Sequence, residues 1–374
     1  MSLFQALSDV MTSPASVAAT WGAAASFIVC IVLVMTPHLH GKLSMDHTHG
    51  IQKFHIGQTP RIGGIAIFVG FMVAWGKAPS DVRAMLQPIL LASLPAFLFG
   101  LGEDLLKRIS VLSRLLATMA SGVLAWWLTD YSLSRLDIWG VDWALKFTLV
   151  SVLFTAFAVG GVANSVNIID GFNGLASLMS GLAFMGYALV AWQVGDTTLA
   201  QVALVLGCCV WGFFWVNWPL GKIFLGDGGS YLLGFAVAWV GVLLVERNPT
   251  VSAFTALVIC AHPVTEVLYS IYRRKVKKSH LGMPDRLHFH SLVKRRYVSR
   301  WFRVFPRMLR NSITGALVGM MTLTAVVLAN LTYHSTAWSV TAYVALALGY
   351  VAIYARMVQH RWCSPIRFLL VKVR

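Results

Sequence analysis

The sequence predicts an all-α, polytopic integral membrane protein of about 11 transmembrane helices, with the N-terminus outside and the C-terminus cytoplasmic. Three observations predict it. Of 374 residues, 57% are hydrophobic and 12% are charged, about half the charge of an ordinary globular chain. Apolar runs of about 18 residues or more recur from end to end. The 30 Lys+Arg outnumber the 14 Asp+Glu, as basic cytoplasmic loops require. Together these exclude a soluble fold, a disordered chain and a nucleic-acid partner. Five cysteines, Cys30, Cys208, Cys209, Cys260 and Cys363, form no CxxC pair and give no disulfide framework or zinc site.

The first expected span is Ser16 to Met35. No Lys or Arg precedes Lys42, so this segment lacks the basic start of a cleaved leader and stays in the membrane. Next come Ile62 to Gly76, Ala84 to Leu101, Leu112 to Leu128 and Phe147 to Ala163. Leu175 to Val194, Thr198 to Trp215, Gly229 to Val245 and Val251 to Tyr272 follow. Ile313 to Leu331 and Trp338 to Tyr354 complete the set. The second segment falls below the roughly 20 residues a helix needs to cross. With the N-terminus outside, 25 of the 30 basic residues fall on the cytoplasmic side, an asymmetry that sets orientation. The chain reads as one membrane-embedded domain, 1–374, with a basic cytoplasmic loop, 273–310. No internal repeat or appended soluble domain is visible.

Five polar clusters all fall on the cytoplasmic face. Lys53, His55, Thr59, Pro60, Arg61, Gly63 and Gly64 lie where the chain re-enters the membrane. Basic side chains beside a Gly-rich helix start can hold phosphate oxygens; the plain alternative is loop charge plus a turn. Glu103 and Asp104 end the third span. They suit magnesium or proton abstraction, or a solvated helix end with Lys107 as partner. Asn164, Asn167 and Asp170 recur every three residues, on one helix face. They suit a sugar, nucleotide or metal-bound phosphate, or a capped helix end. Asp227 sits in a Gly-rich turn as an N-cap or a magnesium ligand. Asp285, Arg286, His288 and His290 lie in the basic loop. An extended HxH would point both rings one way, toward a diphosphate. Two further features stand apart. His38, His40, Asp46, His47 and His49 form a His-rich loop, and Glu266 lies inside the ninth span beside His262, with His262 or Arg273 as partner.

These clusters, in this order, resemble the polyprenyl-phosphate N-acetylhexosamine-1-phosphate transferases of glycosyltransferase family 4. The resemblance covers Lys53 to His290, and its motifs are NSVNIIDGFNG, FLGDGGS and PDRLHFH. The last resembles the GlcNAc-type branch more than phospho-MurNAc-pentapeptide transferase, translocase I of peptidoglycan synthesis. The resemblance implies magnesium-dependent transfer, with manganese as a substitute ion. A sugar-1-phosphate would pass from a UDP-N-acetylhexosamine to undecaprenyl phosphate, releasing UMP and starting O-antigen, capsule or a similar polymer.

It also implies roles. Asp104, Glu103 and Asp170 would be catalytic and Asp227 the metal ligand. Lys53, Arg61, Asn164 and Asn167 would bind nucleotide or phosphate; Arg286, His288 and His290 would bind sugar or diphosphate. Glu103 stands where the family usually has Asp, and Ser291 where a further His is common; both leave the donor sugar open. The expected location is the bacterial cytoplasmic membrane, with membrane lipids and two anionic substrates as partners and a homodimer as one arrangement. Translocase I is the neighbouring alternative. A lipid flippase or transporter would show inverted repeats and midplane charges, which are not visible; an inactive scaffold is the third.

Overall fold

The computed structural model describes residues 15–46, 59–276 and 287–359. In chain order these form α1 (Ala15–Met35), α2 (Pro37–Ser44), β1 (Met45–Asp46), β2 (Thr59–Pro60), α3 (Gly63–Lys77), α4 (Ser80–Leu106), α5 (Val111–Thr129) and α6 (Val141–Leu145). Then follow α7 (Thr148–Ile169), α8 (Leu175–Gln193), α9 (Thr197–Asn217), α10 (Gly226–Arg247), α11 (Phe254–Ile259) and α12 (Ala261–Val276). The last part holds α13 (Phe289–Val293), a π-helical turn (Lys294–Val298), α14 (Ser299–Trp301), α15 (Arg307–Thr332) and α16 (Thr336–Val358). The two short strands pair antiparallel, Met45 opposite Pro60 and Asp46 opposite Thr59.

Helix α10 is the axis of the bundle. Every residue from Gly226 to Val245 is buried, as expected of a helix apolar on all sides. Helices α3, α4, α7, α8 and α9 pack around it, α1 lies against α3 and α9, and α5 lies against α4 and α7. Lipid gives apolar side chains no reason to leave it, so close backbone packing must hold such a bundle. At Gly234 an added Cβ would stand 2.5 Å from the Ala163 Cα, so α7 and α10 meet nearly backbone to backbone. Pro88 and Pro95 lie inside α4. The Ala96 N–H, next to Pro95, is taken by the Ser121 hydroxyl of α5 at 3.0 Å, which keeps a backbone donor satisfied away from water.

Among the described residues, nine helices are long and apolar enough to cross a bilayer, and the protein is a multi-pass membrane protein. The other two expected spans are shorter. Helix α3 has 15 residues. The expected span Val251 to Tyr272 is divided at Cys260 into α11 and α12. Pro263, in the first turn of α12, has no N–H to give the Ile259 carbonyl, so the helix restarts there. The HxH segment also differs from an extended form: His288 is extended (φ −61°, ψ 145°) and opens α13 as its N-cap residue, but Phe289 and His290 are helical. Of the expected His-rich loop, His38 and His40 lie on helix α2, where His40 bonds the Ser44 hydroxyl at 2.6 Å and the Leu33 carbonyl at 2.9 Å. His47 and His49 lie outside the described residues. The four described cysteines are free thiols.

Candidate active site

Two sequence clusters far apart in the chain are joined by backbone. The Phe224 N–H donates to the Pro60 carbonyl at 2.8 Å; Gly63 and Gly64 N–H groups donate to Phe224 and Leu225 carbonyls at 2.9 and 3.0 Å. TPRIGG therefore lies alongside KIFLGD. The chain turns into α10 at Gly226, whose φ is +77°. A Cβ there would collide with the Arg61 carbonyl and sit 2.6 Å from an Asp104 carboxylate oxygen. Only glycine meets both the backbone angle and the space.

Asp104 closes the start of α10 from the end of α4. Its two oxygens accept the Asp227 and Gly228 N–H groups at 2.9 and 2.8 Å. This is an N-cap supplied by another helix, and it leaves Asp104 only 3% exposed. Asp227 itself points to cations. Arg61 Nη2 lies 3.3 Å from Oδ1, and 3.6 Å from Asp104. Arg114, in the first turn of α5, pairs with Oδ2 of Asp227 and lies 6.0 Å from the centre of the Tyr231 ring.

Helix α7 supplies the third wall. The Asn167 amide donates to the Ser230 hydroxyl at 3.0 Å and accepts from the Tyr231 hydroxyl at 3.4 Å. Asn164 donates to the Gly160 carbonyl at 2.8 Å and reaches Thr118 at 3.4 Å. Asp170 follows the last residue of α7. Burial pushes its carboxyl up to about 7, against the pull of Arg61 and with the Asp227 charge adding to the rise.

The HxH segment meets this wall through one of its two rings. His290 stacks beside His288, ring centres 5.4 Å apart, and meets Phe172 edge-on at 5.4 Å. A Cβ on Gly171 would lie 2.8 Å from His290 Nε2, so His290 rests on the residue after Asp170. His288 instead bonds Glu266 at 2.9 Å. Glu266 also accepts from the Phe289 N–H at 3.2 Å and the Tyr350 hydroxyl at 2.7 Å. The hydrogen bonds of this intramembrane acid thus run to the HxH segment and to Tyr350. Lys294 lies 5.2 Å over the Phe172 ring. Burial pushes its ammonium down to about 8, with Arg310 and Arg307 adding to the fall.

Arg61, Asp104, Asn167, Asp170 and Asp227 therefore come together, with His290 at the edge. Glu103 turns to its own loop, where it accepts the Ile109 N–H at 2.8 Å. Asn164 is spent on α7 and α5. Lys53 and Arg286, and with them His55 and Asp285, lie outside the described residues. Arg114 and Lys294 were not singled out from the sequence. For Arg114 the available signal was an ionisable side chain inside the apolar run Leu112 to Leu128; for Lys294 it was its place four residues after His290.

The donor set can be tested against a divalent cation. Among the described residues, no three metal-ligating side chains converge, so an all-protein cage is absent from them. Magnesium needs only one or two carboxylates when substrate phosphates fill its shell. Asp227, already facing two cationic groups, and Asp170 within its field could hold magnesium in that manner.

Residues 86–245 match the family model described as glycosyl transferase family 4. The chain is 29% identical over 262 residues to the undecaprenyl-phosphate alpha-N-acetylglucosaminyl 1-phosphate transferase of Salmonella typhi, covering 68% of this chain and 70% of the relative. It is 28% identical over 259 residues to the enzyme of that name from Escherichia coli K12, covering 68% and 70%. It is 25% identical over 274 residues to the probable undecaprenyl-phosphate N-acetylglucosaminyl 1-phosphate transferase of Bacillus subtilis, covering 71% and 75%. The apolar helices and these similarities support a membrane-embedded sugar-phosphate transferase. The chain is thus similar to glycosyl transferase family 4 over residues 86–245, and to the GlcNAc-1-phosphate transferases among its relatives.

Proposed function

We propose that the protein transfers an N-acetylhexosamine-1-phosphate from a UDP-sugar to undecaprenyl phosphate, releasing UMP and starting a cell-surface polysaccharide such as O-antigen or capsule. The observation that carries this reading is Asp227 held between Arg61 and Arg114, with Asp104 and Asp170 beside it, where five helices meet. Two phosphate-bearing substrates need a site that presents cations and can also take a cation.

The reaction is a displacement at phosphorus. An oxygen of the lipid phosphate attacks the β-phosphorus of the UDP-sugar. The bond from that phosphorus to the bridging oxygen breaks, and UMP leaves with the oxygen and its charge. Such transfers depend on alignment and charge neutralisation rather than on a covalent nucleophile. A phosphate monoester has a second pKa near ~6 and is mostly ionised at neutral pH, so no strong base is required. On this reading Asp104, whose oxygens hold the α10 backbone, is a positioning residue that aims Asp227. Arg61 and Arg114 contribute the charge-assisted contacts that suit phosphate oxygens. Magnesium at Asp227, or manganese in its place, would neutralise phosphate charge and keep the two phosphates in line. Asn167 fixes the α7 wall to Ser230 and Tyr231. His290, with Lys294 behind it, is set to meet the sugar or diphosphate; Lys53 and Arg286 are expected to join them from the flanking segments. The excess of Lys and Arg on the same side supports a site on the cytoplasmic face of the bacterial inner membrane.

The test is UMP release by membranes carrying the protein, supplied with undecaprenyl phosphate, magnesium and a panel of UDP-N-acetylhexosamines. Release that requires all three components is the expected result. No release with any donor overturns the reading, and release only with UDP-MurNAc-pentapeptide moves it to translocase I.

A further inference from the structure

A cavity of about 320 Å³ lies between α12, α15 and α16, with His262 on its wall. Its lining is otherwise mostly apolar, including Met321, Leu328 and Leu346. Its mouth is on the outside of the bundle, where Gly349 and Ala345 are exposed. For a bundle in a bilayer, that mouth faces lipid. His262 is 4% exposed, and neither of its ring nitrogens has a hydrogen-bond partner among the described residues. A buried polar group without a partner is costly, so a ligand that satisfies it gains by entering.

We propose that this cavity binds a membrane-borne alcohol, an aliphatic chain carrying one hydroxyl. A neutral imidazole offers one donor and one acceptor. A hydroxyl can pair with whichever ring nitrogen faces the cavity, donating to the bare nitrogen or accepting from the N–H, whereas a carbonyl or an ether can pair only with the N–H. The apolar lining takes the chain, and the volume is roughly twice that of a cavity that admits benzene. A charged headgroup has no counter-charge there, since no charged side chain among the described residues lines the space. Tyr350 on the same wall donates to Glu266, the group that holds His288. The bound alcohol would therefore sit one residue from the anchor of the HxH loop. The proposal goes beyond the transfer reaction and does not depend on it.

The test is photolabelling of the full-length protein in lipid nanodiscs with a diazirine-bearing octanol, followed by peptide mapping. Label is expected in the peptides holding Ala261 to Thr265 and Met321 to Leu328, and excess octanol should compete it away. His262→Phe keeps the ring volume and removes the hydrogen bonds; label there should fall about five- to tenfold. A Cβ added at Gly349 meets nothing within 4 Å, so Gly349→Leu should fold normally and reduce label by obstructing the mouth. A diazirine-bearing octane, which lacks the hydroxyl, should label the wild type and His262→Phe equally weakly. Label at other sites only, or equal label in the wild type and both variants, would overturn the proposal. So would equal labelling by the octane and the octanol.

Discussion

The two ends of α10 use the same residue types in opposite ways. At its start, Asp227 is shared by Arg61 and Arg114, and Asp104 and Asp170 lie close by. At its end, roughly 30 Å away along the helix, each charge has its own partners. Arg247 forks onto Asp196 at 2.7 and 2.9 Å, and Asp196 also caps α9 through the Leu199 N–H at 3.1 Å. Arg135 pairs with Asp137 at 2.7 Å and donates to three backbone carbonyls, of Val245, Asn248 and Val251. Asp137 accepts from the Ala253 N–H and the Thr336 hydroxyl. The electrostatics differ accordingly. Burial alone would raise the carboxyls of Asp196 and Asp137, yet their hydrogen bonds hold both below the usual 3.8. Asp170, at the other end, is pushed up to about 7. Fully partnered charges fasten loops; crowded, shared charges keep the capacity to bind another ion.

Asp227→Ala should make the largest difference. UMP release should fall roughly 10²–10³-fold, while the melting temperature of the purified protein stays close to wild type. A fully active variant would remove Asp227 from the site. Arg114→Ala should follow, with a loss of about ten- to a hundredfold, the scale of one charge-assisted hydrogen bond. Arg114→Lys should recover only part of it, since lysine lacks the planar fork; steady-state rates at saturating donor would show this. Asp104→Asn keeps one acceptor oxygen for two backbone N–H groups. It should lower stability by about 1–2 kcal/mol and activity by less than Asp227→Ala. An activity loss equal to that of Asp227→Ala with no thermal shift would give Asp104 a direct chemical role.

At the opposite end, Arg247→Ala should cost about 1–2 kcal/mol in thermal or denaturant unfolding and leave the rate per folded molecule unchanged. The smallest effect concerns pH. A carboxyl held below its ordinary value contributes stability above 3.8 that is lost as pH falls through its lower folded value. The stability gap between the wild type and Asp196→Asn should therefore be constant from neutral pH down to about 5. It should then close in stronger acid. A gap that closes near neutrality would contradict the clasp.

Much of this was legible before any coordinates. Hydropathy located the apolar segments, and the scarcity of acids made Asp104, Asp170 and Asp227 stand out. The three-residue spacing put Asn164 and Asn167 on α7, with Asp170 just past its end, but did not show that Asn164 would bond its own helix and Thr118. What stayed hidden depends on contacts distant in sequence. Asp104 caps a helix that begins more than a hundred residues later, and Arg114 reaches Asp227 over a similar distance. Neither partner is marked by a local pattern. The HxH segment was misread for a local reason: His288 is extended, as expected, but Phe289 begins a helix. Period-two reasoning therefore stops at the first ring, and Glu266 and Gly171 settle where the two rings go.

One paired measurement addresses the central claim, that crowded charges at the start of α10 do chemistry and partnered charges at its end hold the fold. UMP release per folded molecule and melting temperature are read together for Asp227→Ala and Arg247→Ala. The account predicts lost activity with an unchanged melt for the first, and a lowered melt with unchanged activity for the second. The reverse pattern, or both losses in both variants, would contradict it.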